Sequence, residues 1–100
     1  MMARFDVYRP KDGDELLLDC QADVLDELES RFVVPLLPAT MFRKTFARLN
    51  PTFEVEGKRV IMATQSAASV PVRLIGQRVT SLAYEQSAIM NAIDMLLIGY

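Results

Sequence analysis

"TFEVEGKRVIMAT", residues 52 to 64, alternates apolar and polar side chains on both sides of Glu56-Gly57. Phe53 and Val55 precede that pair, and Val60 and Met62 follow it, so each half has one apolar edge. Two alternating runs joined by a two-residue turn ending in Gly predict a β-hairpin.

Strand patterns continue outward from this hairpin. "ARFDVY", Ala3 to Tyr8, alternates and stops before Pro10. "RPKDGDE" follows as a turn in which Asp12-Gly13 is expected to supply a positive φ. "ELLLDCQ", Glu15 to Gln21, reads as a second strand antiparallel to the first. "ADVLDELESR", Ala22 to Arg31, fits either a helical turn or an irregular crossing loop. "RFVVPLLP", Arg31 to Pro38, and "SVPVRLIG", Ser69 to Gly76, are proline-bearing strands. Pro35 and Pro71 cannot donate to a ladder, which places each at an edge or a bulge. "ATMFRKTFARLNP", Ala39 to Pro51, carries Met41, Phe42, Phe46 and Leu49 at helical spacing and ends at Asn50-Pro51.

From about Ala83 the periodicity is helical to Ile98. Ile89, Ala92, Ile93, Leu96 and Tyr100 share one face, predicted to be core. Asn91, Met95 and Ile98 form a neighbouring stripe with Met90 and Leu97 on its other flank, which reads as a wider core, a dimer seam or a docking site. Ala83 is a poor cap, so the helix start is weakly specified. Gly99 suits a left-handed C′ position, beyond which Tyr100 projects. About six strands and one firm helix predict an α+β fold, a small barrel with an appended helix.

At 100 residues the chain is sized for one domain, residues 1–100. Its hydrophobic share of 51% is high for so small a sphere, so part of the apolar surface is expected to meet a second copy. Eleven basic against 13 acidic residues force no basic face for nucleic acid. "FRKTFARL" interleaves Arg43, Lys44 and Arg48 with Phe42 and Phe46, a pattern compatible with RNA but as readily a solvated face. The lone Cys20 suits a reducing, cytoplasmic setting. The first 15 residues lack the apolar core of a signal peptide, and no run approaches a membrane span.

The chain has no histidine, which removes the commonest general base and metal ligand. Cys20 reads as a buried thiol rather than a nucleophile. "LDELE" reads as acidic surface, the four glycines make no phosphate cradle, and no ligand cluster supports a metal. No catalytic residue and no cofactor is therefore assigned. An enzyme relying on Arg, Lys, Asp, Glu, Thr or Tyr stays open.

Taken in order, "FDVY" (5–8), "DCQAD" with "VLD" behind it (19–26), "RFVVPL" (31–36), "SVPVRLIG" (69–76) and "NAIDMLLIGY" (91–100) resemble the CcdB family over essentially the whole chain. This family supplies the toxin half of bacterial toxin–antitoxin pairs. The resemblance implies a homodimer of SH3-like barrels, each with a main antiparallel sheet, a small side sheet and a C-terminal helix. It implies a non-enzymatic poison of DNA gyrase that binds the A subunit and traps the enzyme on cleaved DNA. A partly disordered CcdA-like antitoxin would release gyrase, and only the toxin–antitoxin complex would touch operator DNA.

Carried over by resemblance, the gyrase-facing positions are Val24, Leu25 and Asp26 in the loop, and Gln86, Ser87, Met90, Asn91 and Asp94 on the helix. Ile98, Gly99 and Tyr100 form the tip. Asn91 and Gly99 match the family type. Met90 replaces a basic residue, and Tyr100 a terminal apolar one. Ile98 replaces a tryptophan, losing a cation–π contact worth ~0.5–2 kcal/mol when desolvated. Tyr8, Arg9, Met41, Phe42, Arg43, Lys44 and Phe46 are expected to meet the antitoxin, and Met95 and Leu97 to serve the dimer or the core. Two rival readings remain. One is an endoribonuclease toxin like MazF and Kid, which share this barrel type, with Arg73 and Arg78 as the nearest catalytic candidates. The other is a non-toxic relative that retains antitoxin binding.

Overall fold

The computed structural model describes residues 2–100. Seven strands and one α-helix form a curled antiparallel sheet, a half-barrel with a C-terminal helix. The strands are β1 (Asp6–Pro10), β2 (Leu16–Asp19), β3 (Ser30–Pro38), β4 (Thr52–Val55), β5 (Lys58–Met62), β6 (Ala68–Pro71) and β7 (Ile75–Ser81); α1 spans Gln86–Ile98. The sheet order is β4-β5-β3-β2-β1-β7, with β6 also paired to β3. The expected α+β small barrel is thus present.

The 52–64 hairpin folds as its sequence dictates. Glu56 and Gly57 have φ of 52° and 76°, the two left-handed residues a type I′ turn needs. Phe53, Val55, Val60 and Met62 point into the core. The 9–15 turn joins β1 to β2 antiparallel, with Val7 opposite Leu18. Gly13, however, does not adopt a positive φ. A left-handed residue occurs instead at the open end of this hairpin, Phe5, with φ of 71°. Residues 4 and 5 turn, so the first strand begins at Asp6 rather than Ala3.

The two prolines resolve differently. Pro71 ends β6, which pairs only with β3, so it lies on an edge as expected. Pro35 lies within the central strand β3. Its partner on one side is Leu17 of β2; on the other side β3 switches from β6, at Ser30–Val33, to β5, at Leu36–Pro38. The Pro35 carbonyl faces that switch and accepts the Ala63 N–H at 2.9 Å. A strand residue turns its N and C=O to the same side, so the missing N–H falls where no ladder donor is required.

The 69–76 stretch is two strands separated by a 3-10 turn at Val72–Leu74, and the second continues to Ser81. Gly76 lets β7 approach β1 closely: a Cβ there would lie 2.6 Å from the Arg9 carbonyl oxygen. Backbone cannot yield as a side-chain tip can. Gly76→Ala is expected to cost ~1–3 kcal/mol, read as a lowered urea midpoint at unchanged slope. A midpoint equal to wild type would show that the register shifts of the β1–β7 pairing, between Val7 and Tyr8 and between Tyr8 and Pro10, absorb the methyl group.

No α-helix forms over 39–51. A 3-10 turn covers Ala39–Met41, and the rest is irregular. Met41 and Phe46 are exposed and Phe42 and Leu49 only partly buried, so the predicted apolar face is not covered as a unit. The segment is instead held by side chains. Asn50 Nδ2 donates to the Met62 carbonyl at 3.0 Å, its Oδ1 accepts the Phe46 N–H, and the Thr64 hydroxyl donates to the Leu49 carbonyl. Such local bonds compete with the helical ladder.

Helix α1 begins with a 3-10 turn at Ala83–Glu85 and no side-chain cap, matching its weak start signal. It ends on Gly99 at φ 84°, whose N–H bonds the Met95 carbonyl at 3.1 Å. Ile89, Ala92 and Ile93 are buried against the sheet. Leu96 and Tyr100, expected to continue that face, are exposed. Core burial stops at Ile93, and the last turn stands free. The main core joins Phe5, Val7, Leu18, Val34, Leu36, Phe53, Met62 and Leu82 to the helix. Tyr8, Leu17, Val33 and Ile75 form a smaller cluster, taken from the alternate positions of the same strands.

Candidate functional site

The region 22–31 is a 3-10 turn at Asp23–Leu25 followed by loop to Glu29, with β3 taking over at Ser30. No residue of that turn is buried, so packing does not hold it. Polar bonds do. Gln21 Nε2 donates to the carbonyls of Leu25 (3.1 Å) and Ser30 (3.2 Å), and its Oε1 accepts the Phe32 N–H. Asp26 Oδ1 lies 3.5 Å from Arg31 Nη1. Arg31 and Asp19 form a buried pair beneath, with side chains 1% and 0% exposed. Arg31 Nε donates to Asp19 Oδ2 at 3.0 Å, while Asp19 Oδ1 accepts the Gln21 N–H. Burial pushes the Asp19 carboxyl up, against the pull of Arg31.

Arg4 ties this loop to the helix. Its N–H donates to Asp23 Oδ1 at 2.8 Å and its Nε to the Cys20 carbonyl at 3.3 Å; Nη2 reaches Met90 Sδ on α1 at 3.2 Å. The guanidinium lies over the Phe5 ring, 4.7 Å from its centroid. Loop and helix thus form one surface. Val24 is 88% exposed on it and Leu25 47%. Gln86, Ser87 and Asn91 are exposed, while Met90 and Asp94 are partly buried. Met90, Asp94 and Ile98 follow at four-residue steps along the helix toward the tip. There Ile98 is 63% and Tyr100 73% exposed, with Gly99 exposed between them. Leu97, 70% exposed, lies on the flank, and Met95 is partly buried. An end this rich in uncovered apolar side chains is the kind of patch that meets another protein.

The remaining expected contacts flank the β4–β5 hairpin. Arg9 Nη2 pairs with Glu56 at its turn, 2.9 Å away. The Ala39–Met41 turn packs on β5. Beyond it Phe42 is partly buried, Arg43 is exposed, and Lys44 lies 5.2 Å over the exposed Phe46 ring. Tyr8 is the exception. It is buried in the smaller cluster with Leu17, Val33 and Ile75, its hydroxyl 3.4 Å from Asp6 Oδ2, so it does not present itself at this surface. Burial, then the Asp6 charge, push its hydroxyl above the ordinary tyrosine value.

Cys20 is buried, and burial pushes its thiol up to about 12, which suits the inert reading. A groove of about 930 Å³ runs beside the loop between Asp26, Leu28, Glu29, Arg31, Pro71 and Arg73 and includes no helix position. Among the described residues, no group of His, Cys, Asp and Glu could hold a metal, and no helix is long and apolar enough to cross a membrane.

Sequence reasoning missed Arg4, Asp19, Gln21 and Arg31 as the parts that hold the loop. Two of these left a signal. Arg31 alternates with Val33, and Asp19 with Leu17, so each charge points the way of a buried neighbour and needs a partner there.

Two comparisons bear on this arrangement. A solved endoribonuclease in complex with its cognate antitoxin, from a mycobacterial species, shares the fold. Its TM-score is 0.80 at 14% sequence identity, over 97% of this chain and 95% of that one. A family model described as "CcdB protein" matches residues 4–99. With nearly the whole length matched and the half-barrel and C-terminal helix in place, the chain belongs to the CcdB family of toxins from toxin–antitoxin systems.

Proposed function

We propose that this protein is a gyrase poison that acts in the cytoplasm as a homodimer, by binding and not by catalysis, and that a cognate antitoxin neutralises it. The observation that carries this reading is the joining of the loop at Val24–Asp26 to the Met90–Ile98 stripe of the helix through Arg4. Together they make one exposed, largely apolar face leading to the tip. Two copies of that tip near a dimer axis would present Ile98, Gly99 and Tyr100 to the gyrase A subunit, with Met95 and Leu97 at the dimer seam. A surface suits a protein partner better than a pocket does, and the groove meets this face only at Asp26.

The ribonuclease reading is weaker. Arg78 Nε is 3.0 Å from Asp6 Oδ2, which would be the acid–base partner of that arginine. But Asp6 is buried, and Arg78 and Tyr8 both approach that oxygen, which disfavours it as a base toward a ribose hydroxyl. The test is a cleavage reaction with purified protein, gyrase, ATP and supercoiled plasmid, quenched with detergent. Linear DNA rising with dose is the expected result. A folded dimer giving none would overturn the proposal, and cutting of naked RNA would replace it with the ribonuclease.

The antitoxin surface is proposed along Arg9, Met41, Phe42, Arg43, Lys44 and Phe46, without the buried Tyr8. An acidic, disordered tail would find Arg43 and Lys44 both exposed. Changing both to Glu is expected to weaken antitoxin binding by roughly tenfold, about 1.4 kcal/mol, with melting unchanged. Unchanged affinity in a calorimetric titration would remove the two residues from the site.

A further inference from the structure

We infer that Arg4 is the charged anchor of the surface formed by the loop and α1, and that it receives a carboxylate from the protein that docks there. The inference rests on the gyrase reading above, and it commits to an acidic side chain of gyrase.

The argument starts from how the arginines are used. Arg31 is consumed by Asp19 and Asp26, Arg78 by Asp6, and Arg9 by Glu56. Arg43, Arg48, Arg59 and Arg73 sit at exposed positions. Arg4 fits neither group. It is partly buried and held in place, stacked on the Phe5 ring and bonded through Nε to the Cys20 carbonyl. Yet no carboxylate of the described residues lies within ion-pair distance of its guanidinium. Asp23, the nearest acid in these contacts, is bonded through the Arg4 backbone N–H. The remaining partner of the guanidinium is the Met90 thioether, a weak acceptor. A guanidinium fixed in this way, with donors to spare, is preorganised for a planar anion.

The backbone adds a second observation. Phe5, directly after Arg4, holds φ at 71° although it is a buried aromatic residue. Such a conformation costs of order 1–3 kcal/mol and persists only where the surroundings enforce it. Here it sends the Phe5 ring into the core and leaves Arg4 between Asp23 and Met90. Met90 beside that cation is apolar, and Val24 and Leu25, next in the chain to Asp23, are exposed apolar groups that a covering partner would bury with it.

The experiment titrates the full-length protein and its Arg4→Met and Arg4→Lys variants into purified gyrase A subunit at two salt concentrations. Arg4→Met keeps the apolar stem. It is expected to bind at least tenfold more weakly and to lose much of the salt dependence of the wild type, with melting little changed. Arg4→Lys is expected to recover the salt dependence and part of the affinity, because it restores the charge without the planar fork. A merely structural arginine would lower the melting temperature and leave the salt slope alone. Wild-type affinity and salt slope in Arg4→Met would overturn the inference while the gyrase reading stands. No binding by wild type would overturn that reading and the inference with it. Weakened antitoxin binding with gyrase binding intact would assign the arginine to the antitoxin instead, and overturn the inference as stated.

Discussion

Removal of Ile98, Gly99 and Tyr100 is expected to abolish killing of bacteria that lack the antitoxin, while the truncated protein still folds. Ile98 and Tyr100 are 63% and 73% exposed and belong to neither core cluster, so their loss opens no cavity. The main structural loss is the bond from the Gly99 N–H to the Met95 carbonyl, a net contribution of ~0.5–1.5 kcal/mol. For a domain of this size 1 kcal/mol moves the melting temperature by about 4–8 °C, so the shift should stay within roughly 10 °C. The binding effect runs the other way. Large apolar side chains at the centre of an interface cost ~2 kcal/mol or more each when truncated. Two of them amount to about a thousandfold in affinity, since each 1.4 kcal/mol is tenfold. Growth after induction, with melting and dimer mass measured on the same protein, separates the outcomes. A melting temperature lowered by 20 °C would make the tail part of the core. Undiminished killing by a folded truncated dimer would place the target surface elsewhere.

Legibility followed the range of the interactions. The 52–64 hairpin and the Gly99 helix end were readable because turn chemistry is local: Glu56-Gly57 and Gly99 take the left-handed angles their positions demand. The 39–51 segment was misread because Met41, Phe42, Phe46 and Leu49 satisfy a helical period that no neighbouring surface covers as a unit. Bonds from Asn50 and Thr64 fix it otherwise, and those depend on residues up to 15 positions away. The helix face was extended to Leu96 and Tyr100 because periodicity cannot tell where the sheet beneath it ends. Pro35 sits inside a central strand because β3 changes partners there, which is topology and not composition. The site divides in the same way. The loop and helix positions followed from the resemblance, but the residue that joins them did not. Arg4 meets Met90 across 86 positions, and nothing in "MMARFD" announces that contact.

Arg31→Met is expected to be the most destabilising single substitution near the site, at ~3–5 kcal/mol, because it strands the Asp19 carboxylate in a buried position. Total stabilities of such domains are about 5–15 kcal/mol, so about a fifth or more would be lost, and a urea titration would show it plainly. The pair itself is a weaker asset than that figure suggests. Replacing both members, as Asp19→Leu with Arg31→Met, removes the stranded charge and adds apolar burial. It leaves the Gln21 N–H without its acceptor, a cost of ~1–3 kcal/mol, so the double variant should lie much nearer wild type than the single one. Acid should separate them further. Burial already holds the Asp19 carboxyl above its ordinary value of 3.8, and without Arg31 the rise should be greater. A carboxyl raised on folding binds its proton more tightly in the folded state than in the unfolded one. Its favourable contribution is therefore complete below the unfolded value and is lost as pH climbs through the folded value. The gap between Arg31→Met and wild type should accordingly narrow on acidification, whereas that of the double variant, which has no carboxyl at position 19, should not narrow. A gap below 1 kcal/mol at neutral pH, or one that widens in acid, would show that Asp19 is not left as a buried charge. If the expected pattern holds, the pair's role is to fix the base of the loop that carries Val24 and Leu25: Arg31 also reaches Asp26, and Asp19 also holds the Gln21 backbone from which that loop is bonded. The loop amides of Arg31→Met, measured by hydrogen exchange in acid where the fold is recovered, should then still open faster than in wild type.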